Sequence, residues 1–107
     1  MVSIISIKSK KLSGEVFVPG DKSISHRALI LGACAVGETT IENLLESEDV
    51  LATLSALSEL GVNIQKRMNL WEVRGNGLGS LRSPNKVLNL GNSGTGVRLL
   101  MGLVLSL

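Results

Sequence analysis

Aromatic residues are nearly absent from this 107-residue chain, which holds one Phe, one Trp and no Tyr. Phe17 and Trp71 alone give no platform on which successive bases could stack. Eleven Lys and Arg against nine Asp and Glu leave a formal charge of +2, too small and too dispersed for electrostatic binding of nucleic acid. The single cysteine, Cys34, excludes an internal disulfide and a thiolate metal cluster; within LILGACAVG it reads as a small buried hydrophobe. His26 is the single histidine and has no partner at metal-ligand spacing, so no metal site is assigned. The apolar end, Val97 to Leu107, falls well under the roughly 18 residues of a membrane span. The opening MVSIISIKSKKLSG does not read as a secretory signal, because its short apolar stretch precedes the lysines. A hydrophobic content of 44% excludes the disordered class. The expectation is a globular, cytoplasmic chain of at most one domain.

What the chain does hold is a pair of matching polar loops. Pro19 to Arg27, PGDKSISHR, crowds Asp21, Lys22, Ser23, Ser25, His26 and Arg27 between a β-like run ending at Val18 and an apolar run beginning at Ala28. At the start of a helix, unpaired N–H groups and the positive end of the dipole meet these hydroxyls and cations, which makes a socket for a phosphate or carboxylate. The plainer reading is a Gly20–Asp21 turn with Ser23 as a cap and two solvated cations. Leu90 to Arg98, LGNSGTGVR, repeats the design with the same glycine-to-arginine separation and with Asn92 where the first loop has Asp21. Gly91, Gly94 and Gly96 leave its backbone free to approach a ligand and to adopt positive φ. Two sockets imply a pair of ligands, or one ligand with two anionic groups.

Taken in order, Ile4 to Lys8 and Glu15 to Val18 read as a hairpin or two edge strands. From Ser23 to Ala35 a helix is expected with Ile24, Ala28, Leu31 and Ala35 on one face, widened by Leu29, Ile30 and Ala33, and with Gly37 as its stop. Thr39 to Leu45 reads as a strand, and Ser47 as the cap of a second helix that carries Glu48 and Asp49 in its first turn and stops at Gly61. Val62 to Lys66 and Leu70 to Arg74 read as a hairpin around Met68 and Asn69, with Trp71 on its buried face. Gly75 to Gly79 is expected to be a loop, Val87 to Leu90 a strand, and the last helix to begin near Gly96. Glu38, Glu42, Glu46, Glu48 and Asp49 are expected to form a solvated face rather than catalytic pairs. The final apolar helix has no cap, glycine stop or polar tail, so a continuation is expected.

At PGDKSISHRALILGA and LNLGNSGTGVRLLMGLV, with ENLLESEDVLATLSAL between them, the chain resembles the 3-phosphoshikimate 1-carboxyvinyltransferase (EPSP synthase) family over nearly its whole length. The resemblance implies an α/β (α+β) fold of two lobes, each of three βαβαββ units, in an enzyme several times this length. It makes residues 1–18 strands of the opposite lobe, and residues 19–107 the first unit and the start of the second. The implied reaction joins phosphoenolpyruvate to shikimate 3-phosphate with release of phosphate, by addition and elimination, in the shikimate route to aromatic amino acids. It needs no metal and no cofactor, and the complete enzyme is expected to be a monomer. By motif position, Lys22 would contact both substrates and assist the chemistry, while Ser23 and Arg27 would hold shikimate 3-phosphate. Gly94 would line the phosphoenolpyruvate site with its backbone, and Asn92, Thr95 and Arg98 would shape that loop. The acid and base of the family would lie beyond Leu107, so these 107 residues alone are expected to be inactive.

Rival readings are weaker. GDKS is not a P-loop, because Gly14 lies six residues from Gly20 where that motif requires five. The enolpyruvyl transferase acting on UDP-N-acetylglucosamine shares the fold but lacks the SISHR pattern. From another class, the chain could be a non-catalytic anion-binding remnant of a truncated gene.

Overall fold

The computed structural model describes residues 3–8, 11–84, 87–91 and 93–105. Two helices pack on one face of a three-stranded sheet, and a third packs against those two. The order is α1 (Lys22–Cys34), β1 (Val36–Glu42), α2 (Glu48–Glu59), β2 (Asn63–Arg67), β3 (Leu70–Asn76), a short 3-10 turn (Leu78–Ser80) and α3 (Gly94–Leu105).

The sheet order is β1-β3-β2 with both pairings antiparallel, so β1 and β2 run parallel and α2 is the crossover between them. Asn43, at φ +57, ends β1 sooner than the sequence pattern suggests. Met68, also at φ +57, turns the β2–β3 hairpin. The outer face of the sheet is polar, with Arg74 donating to Glu38 at 3.0 Å and Arg67 3.8 Å from Glu72. On the inner face Val73 is fully buried, and with Leu29, Val50, Leu57 and Leu60 it forms the centre of the core.

Two glycines set how closely α1 approaches this sheet. A Cβ on Gly32 would lie 3.3 Å from the side chains of Thr39 and Val73, and one on Gly75 would collide with the carbonyl oxygens of Gly32 and Ala35. The helix therefore rests on Gly32, which turns Leu29, Ile30 and Ala33 inward and leaves Ile24 and Leu31 63% and 68% exposed. The face expected from Ile24, Ala28, Leu31 and Ala35 is thus corrected by about one position. In a helix apolar nearly all round, the pattern cannot choose the buried side, and the small residue does. The stop is also corrected. α1 ends at Cys34 with Ala35 as its cap, and Gly37 lies inside β1.

Three expected strands are absent. Residues 3–8 and 11–18 carry no secondary structure, and Ile4, Ile5, Ile7, Val16 and Phe17 are exposed. Val87–Leu90 is likewise not a strand, although Leu88 and Leu90 pack against the core. A β-branched run becomes a strand only where an unpaired edge accepts its backbone. The unpacked leader also accounts for a radius of gyration of 17.6 Å, against about 13 Å for a compact chain of 100 residues. At the other junctions, β3 runs on through Gly75 and Asn76, and α3 begins at Gly94 rather than Gly96. Among the described residues no helix is long and apolar enough to cross a membrane.

Candidate functional site

The first loop is anchored before it reaches α1. Asn43 donates from Nδ2 to the Val18 carbonyl at 3.0 Å, and Gly20 sits so close to the Asn43 carbonyl that no Cβ would fit. Asp21, rather than Ser23, caps α1, its Oδ1 accepting the Ile24 N–H at 2.8 Å.

Lys22 opens α1, and His26 follows one turn later on the same face as Leu29 and Ala33. The Lys22 ammonium accordingly turns toward α2, where Nζ lies 2.5 Å from Asp49 Oδ2. One turn further along both helices, His26 Nδ1 lies 2.8 Å from Thr53 Oγ1. First turn meets first turn and second meets second, so α1 and α2 run side by side with their starts level. Ser25 Oγ adds a third tie by accepting the Leu45 N–H at 3.1 Å.

The start of α3 comes to the same end. Ser93 is buried, its Oγ accepts the Gly96 N–H at 2.9 Å, and the same oxygen lies 3.4 Å from His26 Nε2. The three helix starts thus lie at one end of the unit, tied together through His26, Thr53 and Ser93. Each presents unpaired N–H groups and about half a positive charge, a combination that suits phosphate and carboxylate. Burial lowers the pKa of His26 first, and the nearby Lys22 charge lowers it further against an opposing pull from Asp49. The imidazole is therefore neutral at pH 7.

The residues carried over by motif are not all in mutual contact. Lys22 is half-exposed and paired with Asp49. Ser23 and Thr95 are half-buried, while Arg27, Gly94 and Arg98 are exposed, and a Cβ on Gly94 would meet nothing within 4 Å. Among the described residues no ion pair engages Arg27 or Arg98, which leaves both guanidinium groups available to an anion. Asn92 lies outside the described residues. Gly91 alone of the second loop's glycines takes positive φ, at +57. Gly94 and Gly96 are helical.

Sequence reasoning missed three members of this arrangement. Asp49, expected on a solvated acidic face, holds Lys22. Glu46 accepts from Lys66 at 2.6 Å and from the Trp71 indole at 3.1 Å, and both bonds hold its carboxyl below the usual range. Glu38 is paired as well; it and Glu46 remain on an exposed face, and the solvated-face expectation is corrected for the half-buried Asp49. His26 and Ser93 were given no role. The signal that could have found His26 is its place four residues after Lys22 and three before Leu29. A concavity of about 580 Å³ is lined by Phe17, Glu46, Lys66 and Trp71 among others, and by none of the residues expected to bind a substrate.

A family model described as EPSP synthase (3-phosphoshikimate 1-carboxyvinyltransferase) matches residues 7–107. The 3-phosphoshikimate 1-carboxyvinyltransferase of Zymomonas mobilis is 56% identical over 104 residues, which is 96% of this chain and 23% of that protein. That of Bartonella tribocorum is 53% identical over 103 residues, again 96% of this chain and 23% of the relative. The solved EPSP synthase of Acinetobacter baumannii superposes with a TM-score of 0.78 at 45% identity, covering 84% of this chain and 21% of that one. The chain spans about a quarter of the length of the relatives it matches. The helix-and-sheet unit described above is part of their fold, and the chain belongs to the EPSP synthase (3-phosphoshikimate 1-carboxyvinyltransferase) family.

Proposed function

We propose that this chain contributes the first substrate-binding portion of an enzyme that transfers the enolpyruvyl group of phosphoenolpyruvate to shikimate 3-phosphate, releasing phosphate. The observation that carries the reading is the meeting of three helix starts at His26, one turn from Lys22, with two further arginines outside any described ion pair. Both substrates are multiply anionic, and two anionic ligands match two sockets. Lys22 touches both substrates, and an incoming phosphate or carboxylate takes the place of Asp49 on its ammonium. Ser23 and Arg27 hold shikimate 3-phosphate. The backbone at Gly94, with Asn92, Thr95 and Arg98, holds phosphoenolpyruvate.

In the addition step a hydroxyl of shikimate 3-phosphate bonds to the phosphate-bearing carbon of phosphoenolpyruvate and gives up its proton, while the methylene carbon takes up a proton and becomes a methyl group. In the elimination step phosphate leaves and a proton is lost from that methyl group, which restores the carbon–carbon double bond. Lys22 stabilises the phosphate and carboxylate charge through both. The reading takes the reaction to be cytoplasmic and the working enzyme to be monomeric. It also takes residues 1–18 to pair as strands in a second lobe, which would cover Ile4, Ile5, Ile7, Val16 and Phe17.

The test is phosphate release by the full-length protein. Release should require both substrates together, and Lys22→Met should lower turnover by at least about 100-fold, the scale of one charge-stabilising group, with little change in Tm. Release at the wild-type rate from Lys22→Met would remove Lys22 from the site. The short span relative to the relatives favours a second reading, a non-catalytic anion-binding remnant, for the 107 residues taken alone. Under that reading the isolated chain binds either substrate no tighter than about millimolar and turns over neither.

A further inference from the structure

His26 is fully buried between three helices, and both of its ring nitrogens are engaged. Nδ1 meets Thr53 Oγ1 on α2, and Nε2 meets Ser93 Oγ at the start of α3. Ser93 Oγ in turn takes the Gly96 N–H, and Gly96 is seated directly on Thr53. A Cβ at position 96 would lie 2.6 Å from Thr53 Oγ1 and 2.7 Å from Ser93 Oγ. His26, Thr53, Gly96 and Ser93 therefore form a closed circuit that fixes the first turn of α3 in both height and rotation. Gly94 and Thr95 lie between the two clamped residues, Gly94 exposed and Thr95 half-buried.

We propose that His26 is a positioning residue for the second anion loop, suspending the start of α3 from α1 so that Gly94 and Thr95 face phosphoenolpyruvate at a fixed height beside Lys22. This rests on the enolpyruvyl-transfer reading for the identity of the ligand, but not for the clamp itself. An apolar side chain would fill the same space without the cost of desolvating two nitrogens. What imidazole adds is two hydrogen-bonding atoms on opposite sides of one flat ring, which lets a single residue of α1 reach both α2 and α3. Lys22 is one turn before His26 on the same face, so the residue that carries the shared cation and the residue that hangs the second loop move as one rigid piece. Misplacement of a binding loop by about 1 Å can cost about 100-fold in rate, so the clamp acts on the ligand more than on folding.

The test uses the full-length protein, steady-state kinetics with both substrates, and amide exchange at Gly96. His26→Leu should raise KM for phosphoenolpyruvate about tenfold, the size of a coupling between groups in one network, and change KM for shikimate 3-phosphate less than about twofold. Exchange at Gly96 should accelerate. His26→Gln, whose side-chain amide reaches the position of Nε2, should restore most of the phosphoenolpyruvate affinity. Adding Ser93→Ala to His26→Leu should cost less than Ser93→Ala costs alone, because the His26–Ser93 contact is already gone and only the Gly96 cap is left to lose. Ser93→Ala alone should give the same KM split, so the test stands if His26→Leu does not fold. Equal rises in both KM values, additive losses in the double variant, or unchanged Gly96 exchange would overturn the proposal. Exchange needs no turnover. A protein that keeps the clamp but releases no phosphate would overturn the transfer reading while leaving the clamp in place.

Discussion

The two loops share a glycine-to-arginine spacing, but they meet an anion differently. The first is capped by the carboxylate of Asp21 and has its lysine already paired with Asp49, so its positive pole is partly neutralised. An incoming anion there exchanges one carboxylate for another. The second is capped by the neutral Ser93, carries no carboxylate in its described residues, and has open space above Gly94. An anion there meets bare backbone. The first loop thus favours a ligand that engages a side-chain cation, and the second a ligand that approaches the backbone closely. This is in keeping with the proposed division between shikimate 3-phosphate and phosphoenolpyruvate.

The strongest way to break the comparison is within the second loop. Gly96→Ala places a methyl group against Thr53 and Ser93, and should lower stability by about 1–3 kcal/mol, the usual cost of overpacking, seen as a fall in Tm. Gly94→Ala, two residues away in open space, should leave Tm nearly unchanged and raise KM for phosphoenolpyruvate more than for shikimate 3-phosphate. Equal effects of Gly94→Ala on both substrates would mean that Gly94 only shapes the turn.

A smaller effect sharpens the contrast through protonation. The pKa of His26 is lowered in the folded chain from its ordinary 6.5, so the unfolded chain takes up the proton first as pH falls. The contribution of His26 to stability is present in full above pH 6.5 and is lost as pH falls through the lowered folded value. Urea titrations across that window should show stability falling with acid, and His26→Gln should remove this component. The groups facing the ring are Lys22 on α1 and Asp49 on α2. Asp49→Asn removes the one influence that raises the pKa, and should move the window to still lower pH.

The smallest stability effect is expected from Asp49→Asn itself. Its pair with the half-exposed Lys22 is worth about 0–1 kcal/mol at most. The same change should strengthen anion binding at the first loop, because the ligand no longer competes with Asp49 for the ammonium. Unchanged affinity would show that Asp49 does not stand in the anion's place.

How much of this was legible in the sequence differs between elements for physical reasons. Helix α2 was readable almost residue by residue, since Ser47, the acidic first turn and Gly61 are all local signals. The β2–β3 hairpin was readable too, because both of its strands and its turn lie in one short stretch. Ile4 to Lys8, Glu15 to Val18 and Val87 to Leu90 carry the same alternation, yet pairing depends on an edge that local sequence does not name. The motif cations were legible as types in a loop. The partner of Lys22, the hanging of α3 from His26 and the buried side of α1 were not, because each depends on residues about 20 or more positions away.

The central claim is that shikimate 3-phosphate settles on the first loop and phosphoenolpyruvate on the second. Titration of the isotope-labelled, full-length protein with each substrate, followed by backbone amide shifts, tests it most directly. Shikimate 3-phosphate should move Lys22, Ser23 and Arg27, and phosphoenolpyruvate should move Gly94, Thr95 and Arg98, with Lys22 responding to both. Shifts confined to the groove around Lys66 and Trp71, with both loops silent, would contradict the account.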